Sequence, residues 1–429
     1  MVKASECRVV SGYGKWLVLV LSMTIPLVAV AEPPTLSGGV TSRYSDNVTR
    51  VPDGAQDDVE TRTTLSFAHQ TDPGACNART RAEFGYGVWS DDTFEPELYS
   101  ELDFLGDCSV TDNIRWELSD YLRDVVQDGR NVDTPDNRTR KNIFRTGPVL
   151  TVRLSQVDRL EISAQYENTE FEENSEIDSE RLLGSAWVTR SFSPSTDLGV
   201  RFLADRAELE TGEEIDRDTA SLTFRKAWSA TQIQGALGFT EYESRFMDQV
   251  LESDAIVGNF TLERDVSAST VAFLSATHEL TDQTSDIDVR IGDITINLRE
   301  QVGVEVTTIR AGMRTVYSDR SNMELALFSN RTEYLQSAEE EDGRGADFRY
   351  RLPVVSRLDG LLGARVERRS FQPEDRDDTL VNVHVGLSYQ ATRKLDLVGR
   401  VGRSSRDSNV PTTEYEDNWF ELGLNYRFL

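Results

Sequence analysis

Residues 381–389 read VNVHVGLSY. Val381, Val383, Val385, Leu387 and Tyr389 fall on one side of an extended chain, and Asn382, His384, Gly386 and Ser388 on the other. Successive side chains of a strand point to opposite faces, so this stretch predicts a ribbon that is apolar on one face and polar on the other. The same arrangement recurs over about ten residues at a time. Ala78, Thr80, Ala82, Phe84, Tyr86 and Val88 oppose Arg79, Arg81, Glu83, Gly85 and Gly87. Ile114, Trp116, Leu118 and Leu122 oppose Arg115, Glu117, Ser119 and Tyr121, with Asp120 interrupting near the outer end. Leu160, Ile162, Ala164 and Tyr166 oppose Glu161, Ser163, Gln165 and Glu167. At the C-terminus Phe420, Leu422, Leu424, Tyr426 and Phe428 oppose Glu421, Gly423, Asn425 and Arg427.

The connections between these ribbons alternate in length. Short turns are predicted at 155–158, 193–196, 227–230, 266–269, 318–322 and 391–394. Longer polar loops are predicted at 125–137, 171–178, 208–217, 335–344, 372–378 and 405–414. Ribbons with one lipid-compatible face, joined alternately by short turns and long loops, are the pattern of a transmembrane β-barrel. A soluble sandwich has no reason to alternate loop lengths in this way. The expectation is an all-β chain: one antiparallel, up-and-down transmembrane β-barrel of about 18–20 strands, beginning at 36–44. Within 281–303, residues 288–296 are expected to form an extra hairpin outside the membrane.

The N-terminus reads as an export leader. Lys3, Arg8 and Lys15 precede an apolar run over 16–30 that contains Pro26, and Ala29-Val30-Ala31 forms a small-x-small cleavage site. This predicts a signal peptide over 1–31 and a barrel over 32–429. The run is short for a spanning helix, which needs about 20 apolar residues. The expected location is the outer membrane, with both termini periplasmic and the long loops extracellular. The expected surroundings are outer-membrane lipid and lipopolysaccharide, with the barrel assembly machinery reading the C-terminal strand through Phe420, Leu422, Leu424, Tyr426 and Phe428. A net charge of -28 argues against nucleic acid, which requires an excess of Lys and Arg.

Cys76 and Cys108 remain after the leader and its Cys7 are removed. They lie in successive short turns on one rim with a single hairpin between them, and an exported chain with two cysteines suits one disulfide. Among polar-face residues, Arg79, Arg81, Glu83, Arg115, Glu117, Glu161, Glu167, Arg201, Asp205, Arg365, Glu367, Arg400, Glu421 and Arg427 are candidate lumen charges. They could filter solutes or simply pair across strands. The acidic clusters at 170–176, 208–216, 339–342 and 374–378 read as solvated outer loops, since none has the spacing of a calcium loop. Trp89, Trp116, Trp187, Trp228, Tyr389, Trp419 and Phe428 are placed at strand ends or on outward faces, as interface girdles would use them. Three widely separated histidines, with no hydrolase, phosphate-loop or zinc motif, predict no catalytic residues, no metal and no cofactor.

Residues 39–48 read GVTSRYSDNV. Tyr44, Asp46 and Asn47 resemble the first strand of the putative β-barrel porin 2 family, with Ser45 where a second Asp is common. That resemblance implies an outer-membrane barrel associated with exopolysaccharide production and export, and it brings no catalytic residues. The leading expectation is a channel passing a hydrophilic polymer. The alternatives are a surface-attachment barrel acting through its acidic loops and an outer-membrane hydrolase.

Overall fold

Each alternating ribbon pairs with the next through the turn that joins them. In a computed structural model, residues 33–173, 176–291 and 303–429 are described, and the leader read over 1–31 lies outside them. The strands are β1 (Thr35–Ser45), β2 (Asp58–Gln70), β3 (Cys76–Trp89), β4 (Glu97–Ser109), β5 (Ile114–Val126), β6 (Arg138–Arg153) and β7 (Asp158–Phe171). Then follow β8 (Ser179–Ser193), β9 (Thr196–Leu209), β10 (Glu214–Ala227), β11 (Thr231–Phe246), β12 (Gln249–Ser267), β13 (Thr270–Asp282) and β14 (Gly303–Val316). The last six are β15 (Asn322–Tyr334), β16 (Glu340–Val355), β17 (Leu358–Gln372), β18 (Arg376–Gln390), β19 (Leu395–Ser408) and β20 (Tyr415–Arg427). One five-residue helical turn, α1 (Ile287–Ile291), precedes β14.

Every neighbouring pair is antiparallel, and β1 pairs with β20 from Ser37↔Arg427 to Ser45↔Trp419. The 20-stranded sheet is therefore closed. Closure satisfies the backbone donors and acceptors that an open edge would leave bare in a bilayer. Most strands exceed the 9–11 residues that a tilted strand needs to cross the hydrocarbon, and β12 runs to 19. The wall therefore rises beyond the membrane.

The apolar parity faces outward. Leu182, Leu222, Leu237 and Ile256 are 61–67% exposed. Each such side chain would cost about 1.5–3 kcal/mol of lost burial if it faced water, so a belt of them requires lipid. The polar parity faces the lumen.

Both described termini lie at the end carrying the short turns, where β2 meets β3 and β18 meets β19. The other end, called the loop end below, departs from the expected alternation. The stretches 208–217, 335–344, 372–378 and 405–414 are partly strand, leaving connections of only 210–213, 335–339, 373–375 and 409–414. A further connection at that end is just Met247 and Asp248. Acidic sequence did not mean loop here, because cross-strand pairs extend the ladder: Arg245 meets Asp216 at 3.0 Å, and Arg206 meets Asp218 at 2.8 Å. Gly212, at φ +81°, makes the tight 210–213 turn possible.

Asp120 does not mark an outer end. It sits in the middle of β5 on the outward parity and accepts a hydrogen bond from Asn142 at 2.7 Å. The expected tryptophan girdle also needs correction. Trp116 and Trp228 face outward, but Trp89, Trp187 and Trp419 share the inward parity. Trp89 and Trp419 are buried; Arg43 stacks 4.6 Å from the Trp419 ring centre. Residues chosen by position near a strand end had an equal chance of either face.

Candidate functional site: the barrel lumen

The inward parity makes an ionic lining. Arg115 meets Glu117 at 2.5 Å, Arg365 meets Glu367 at 3.1 Å, and Arg400 meets Glu421 at 3.2 Å. Glu83 accepts from the Ser66 hydroxyl at 2.9 Å. These sequence-picked charges thus largely hold one another. Arg79, Arg81, Arg201 and Arg427 share the inward parity, but among the described residues no carboxylate lies within ion-pair distance of them.

The densest part of the lining lies on β6 to β10. Arg181 is 2% exposed and contacts Glu167 at 3.4 Å, Asp205 at 2.7 Å and Asp282 at 2.8 Å. Arg217 also reaches Asp205 at 2.7 Å, and Arg145 pairs with Glu167. Charges this far from water persist only when paired and hydrogen-bonded. Glu167 and Asp205 were picked from the sequence; Arg181 and Asp282 were not.

At the loop end the β5–β6 connection and the described part of the β13–β14 connection turn inward. The β5–β6 connection, 127–137, is tethered to strands far around the ring. Arg130 donates to Glu339 at 3.1 Å and lies 3.6 Å from Glu374. Its carbonyl accepts from Arg376 at 2.8 Å and from Arg406 at 3.2 Å. Arg406 also donates to the Asn131 carbonyl at 3.2 Å, and Arg50 donates to that of Asp133. These tethers carry the segment from β5 and β6 over the sector of β1–β4 to β17–β19. Burial would raise the Asp133 carboxyl, but the bidentate Arg138 outweighs it, with help from Arg50, and holds it below the usual carboxylate range. Acidic Glu339 and Glu374, expected in solvated loops, are tether points instead. Under this segment lies a chamber of about 290 Å³ bounded by Arg43, Arg62, Trp89, Tyr99, Arg138 and Asp417.

The described part of the β13–β14 connection, 283–291, packs against the inner wall from the other side. Lys141 on β6 is fully buried and donates to the carbonyls of Gln283 at 3.1 Å and Ser285 at 2.6 Å, and to Asp288 at 2.8 Å. Thr169 donates to the Thr284 carbonyl at 3.0 Å. Arg145 reaches Asp286 at 3.2 Å. Burial pushes the Asp286 carboxyl up, yet Arg290 and Arg145 outweigh it and hold it at about 2. Apolar contacts complete the anchor: Ile287 is buried with Val304, Val306 and Tyr334. Beside it the inner wall presents Leu209, Ile215, Tyr242, Val257 and Leu280 as a second buried apolar group. The hairpin expected outside the membrane at 288–296 is therefore corrected over its described part. Residues 288–291 belong to a helical turn drawn into the lumen, and 292–302 lie outside the described residues. The reason is the combination of Ile287 with facing carboxylates, which finds complementary partners only on the inner wall.

Cys76 and Cys108 face each other directly across β3 and β4, with Cα atoms 4.0 Å apart, and are disulfide-bonded. Their parity places the bond on the outer side of the wall at the short-turn rim. Among the described residues no group of three or more metal-ligating side chains forms a metal site.

The C-terminal strands match a known family. The family model described as Putative beta-barrel porin 2 covers residues 344–428. The chain is a closed 20-stranded β-barrel whose last strands are similar to that family. Among solved structures it is similar to the FrpB iron transporter from Neisseria meningitidis (F5-1 variant), with a TM-score of 0.48 at 9% identity, covering 93% of this chain and 83% of that one. It is also similar to the outer membrane protein opdK from Pseudomonas aeruginosa, with a TM-score of 0.40 at 11% identity, covering 93% and 100%. No curated protein sequence matches the chain.

Proposed function

We propose that this barrel is a water-filled, loop-constricted channel of the outer membrane that passes a hydrophilic chain, with exported polysaccharide as the cargo class. The observation that carries the reading is the lumen itself. It belongs to a 20-stranded ring, a size that encloses aqueous space unless plugged, and its lining is largely charged, with buried apolar groups where the β13–β14 connection is anchored and on the wall beside it. Charged linings keep water in and offer hydrogen-bonding partners to hydroxyl-rich solutes. The polysaccharide association is what the resemblance of Tyr44, Asp46 and Asn47 to the putative β-barrel porin 2 family implies. In this reading the loop end faces the cell exterior among lipopolysaccharide, the short-turn end faces the periplasm, and no catalytic step occurs in the lumen.

The test is conductance of the purified protein in planar bilayers with neutral dextrans of graded size. Channel activity with a size cutoff, small dextrans lowering conductance and large ones not, is the expected result. A cutoff below a single sugar ring would refute passage of a chain.

A further inference from the structure

Nearly every arginine on the inner wall has a carboxylate partner, and the exceptions are not scattered. Arg79, Arg81, Arg153, Arg159, Arg201 and Arg427 have no carboxylate within ion-pair distance among the described residues, and all lie toward the short-turn mouth. Arg153 and Arg159 are directly opposite each other on β6 and β7. Like charges so placed cost roughly 0.2–1 kcal/mol in a sheet, and the nearest carboxylate on that face, Glu161, forms an ion pair with neither. Two strands further on, the row Glu161↔Trp187↔Arg201 brings a third arginine beside a tryptophan.

The tryptophan is held in place. The Trp187 indole donates to the Thr223 hydroxyl at 2.9 Å, reaching across β9 to β10. It crosses at Gly199, where a Cβ would come within 2.7 Å of the indole nitrogen; any larger residue would block that path. Trp187, Arg153, Arg159, Arg201, Thr223 and Asn259 border a recess of about 1010 Å³ at the mouth. Arg225 in the same recess is already satisfied by Asp197 at 3.0 Å, so the unpaired cations are the other three.

From this geometry we infer that the short-turn mouth carries a binding site for an anionic oligosaccharide, a sugar chain bearing carboxylates. The three arginines take the acid groups, with planar forks suited to carboxylate. The fixed indole presents a face to the sugar ring, and Thr223 and Asn259 meet hydroxyls. The site rests on the channel reading, since it is the point at which such a chain would enter the lumen.

Binding to the full barrel in detergent micelles separates the two claims, because calorimetry does not require an open pore. The probes are oligogalacturonate, a neutral maltodextrin of equal length, and inorganic phosphate. Oligogalacturonate should bind with an affinity that falls as salt rises. R153Q/R159Q/R201Q should weaken it by about tenfold or more, and R153Q/R159Q, which relieves a repulsion and so should fold, by an intermediate factor. Absent binding, unchanged affinity in the folded double variant, or equal affinity for maltodextrin or phosphate would overturn the site. A barrel that binds the acid sugar but conducts nothing would instead count against the channel.

Discussion

Arg181 holds three carboxylates at once in a place where water cannot help. Replacing it by Met leaves Glu167, Asp205 and Asp282 buried around an apolar chain. The expected cost is about 3–5 kcal/mol, read as a lower midpoint of urea unfolding in micelles; a loss under about 1 kcal/mol would mean that the cluster relaxes into water. Asp286 gives a prediction with a pH sign. Its carboxyl is held at about 2, below the ordinary value of about 3.9. Its contribution of roughly 2–3 kcal/mol is therefore fully present above about pH 4 and fades as pH falls toward 2. The stability gap between wild type and Asp286→Asn should follow that window, and a gap constant from pH 7 to pH 2.5 would contradict the assignment. At this scale the sequence was half legible. Parity told Arg115, Arg365 and Arg400 to face inward, but partner choice depends on which strands lie within reach across the ring. One composition signal bore on it: only five of the basic residues are lysine, and arginine is the residue suited to bidentate structural pairing.

The two inward segments set the shape of the lumen. The β5–β6 segment is joined to its own strands by Val126↔Arg138, so its tip can be removed without disturbing the ladder. Replacing 128–136 by a short Gly-Ser link should preserve the folded barrel and raise conductance roughly twofold or more; unchanged conductance would show that the segment does not constrict the path. The disulfide acts differently. It closes a stretch with a sequence separation of 32, for which the chain-entropy account gives up to about 3–4 kcal/mol. Because it lies outside the lumen, C76S/C108S should lower unfolding stability while leaving conductance intact. The strands were readable because a period of two survives any tertiary context in which one face meets lipid. The inward loops were not, since the stretches 125–137 and 281–303 carry the same polar residues as an outward loop. Only their complement on a distant inner wall distinguishes them.

For the whole molecule, closure is the decisive property. It follows from β1 meeting β20, and it turns a row of amphipathic ribbons into a lipid-facing belt around a charged interior. Strand number was legible to within two because each ribbon and its connection take about twenty residues. The asymmetry of the interior was not: tethered loops at one end and unpaired arginines toward the other emerge only after the ring is assembled. The claim on which the rest depends is that this interior conducts. Single-channel recording of the folded, disulfide-bonded protein in a planar bilayer tests it directly. The account predicts discrete ohmic steps. Protein that inserts with its folded gel mobility intact, yet shows no steps at any voltage, would contradict it.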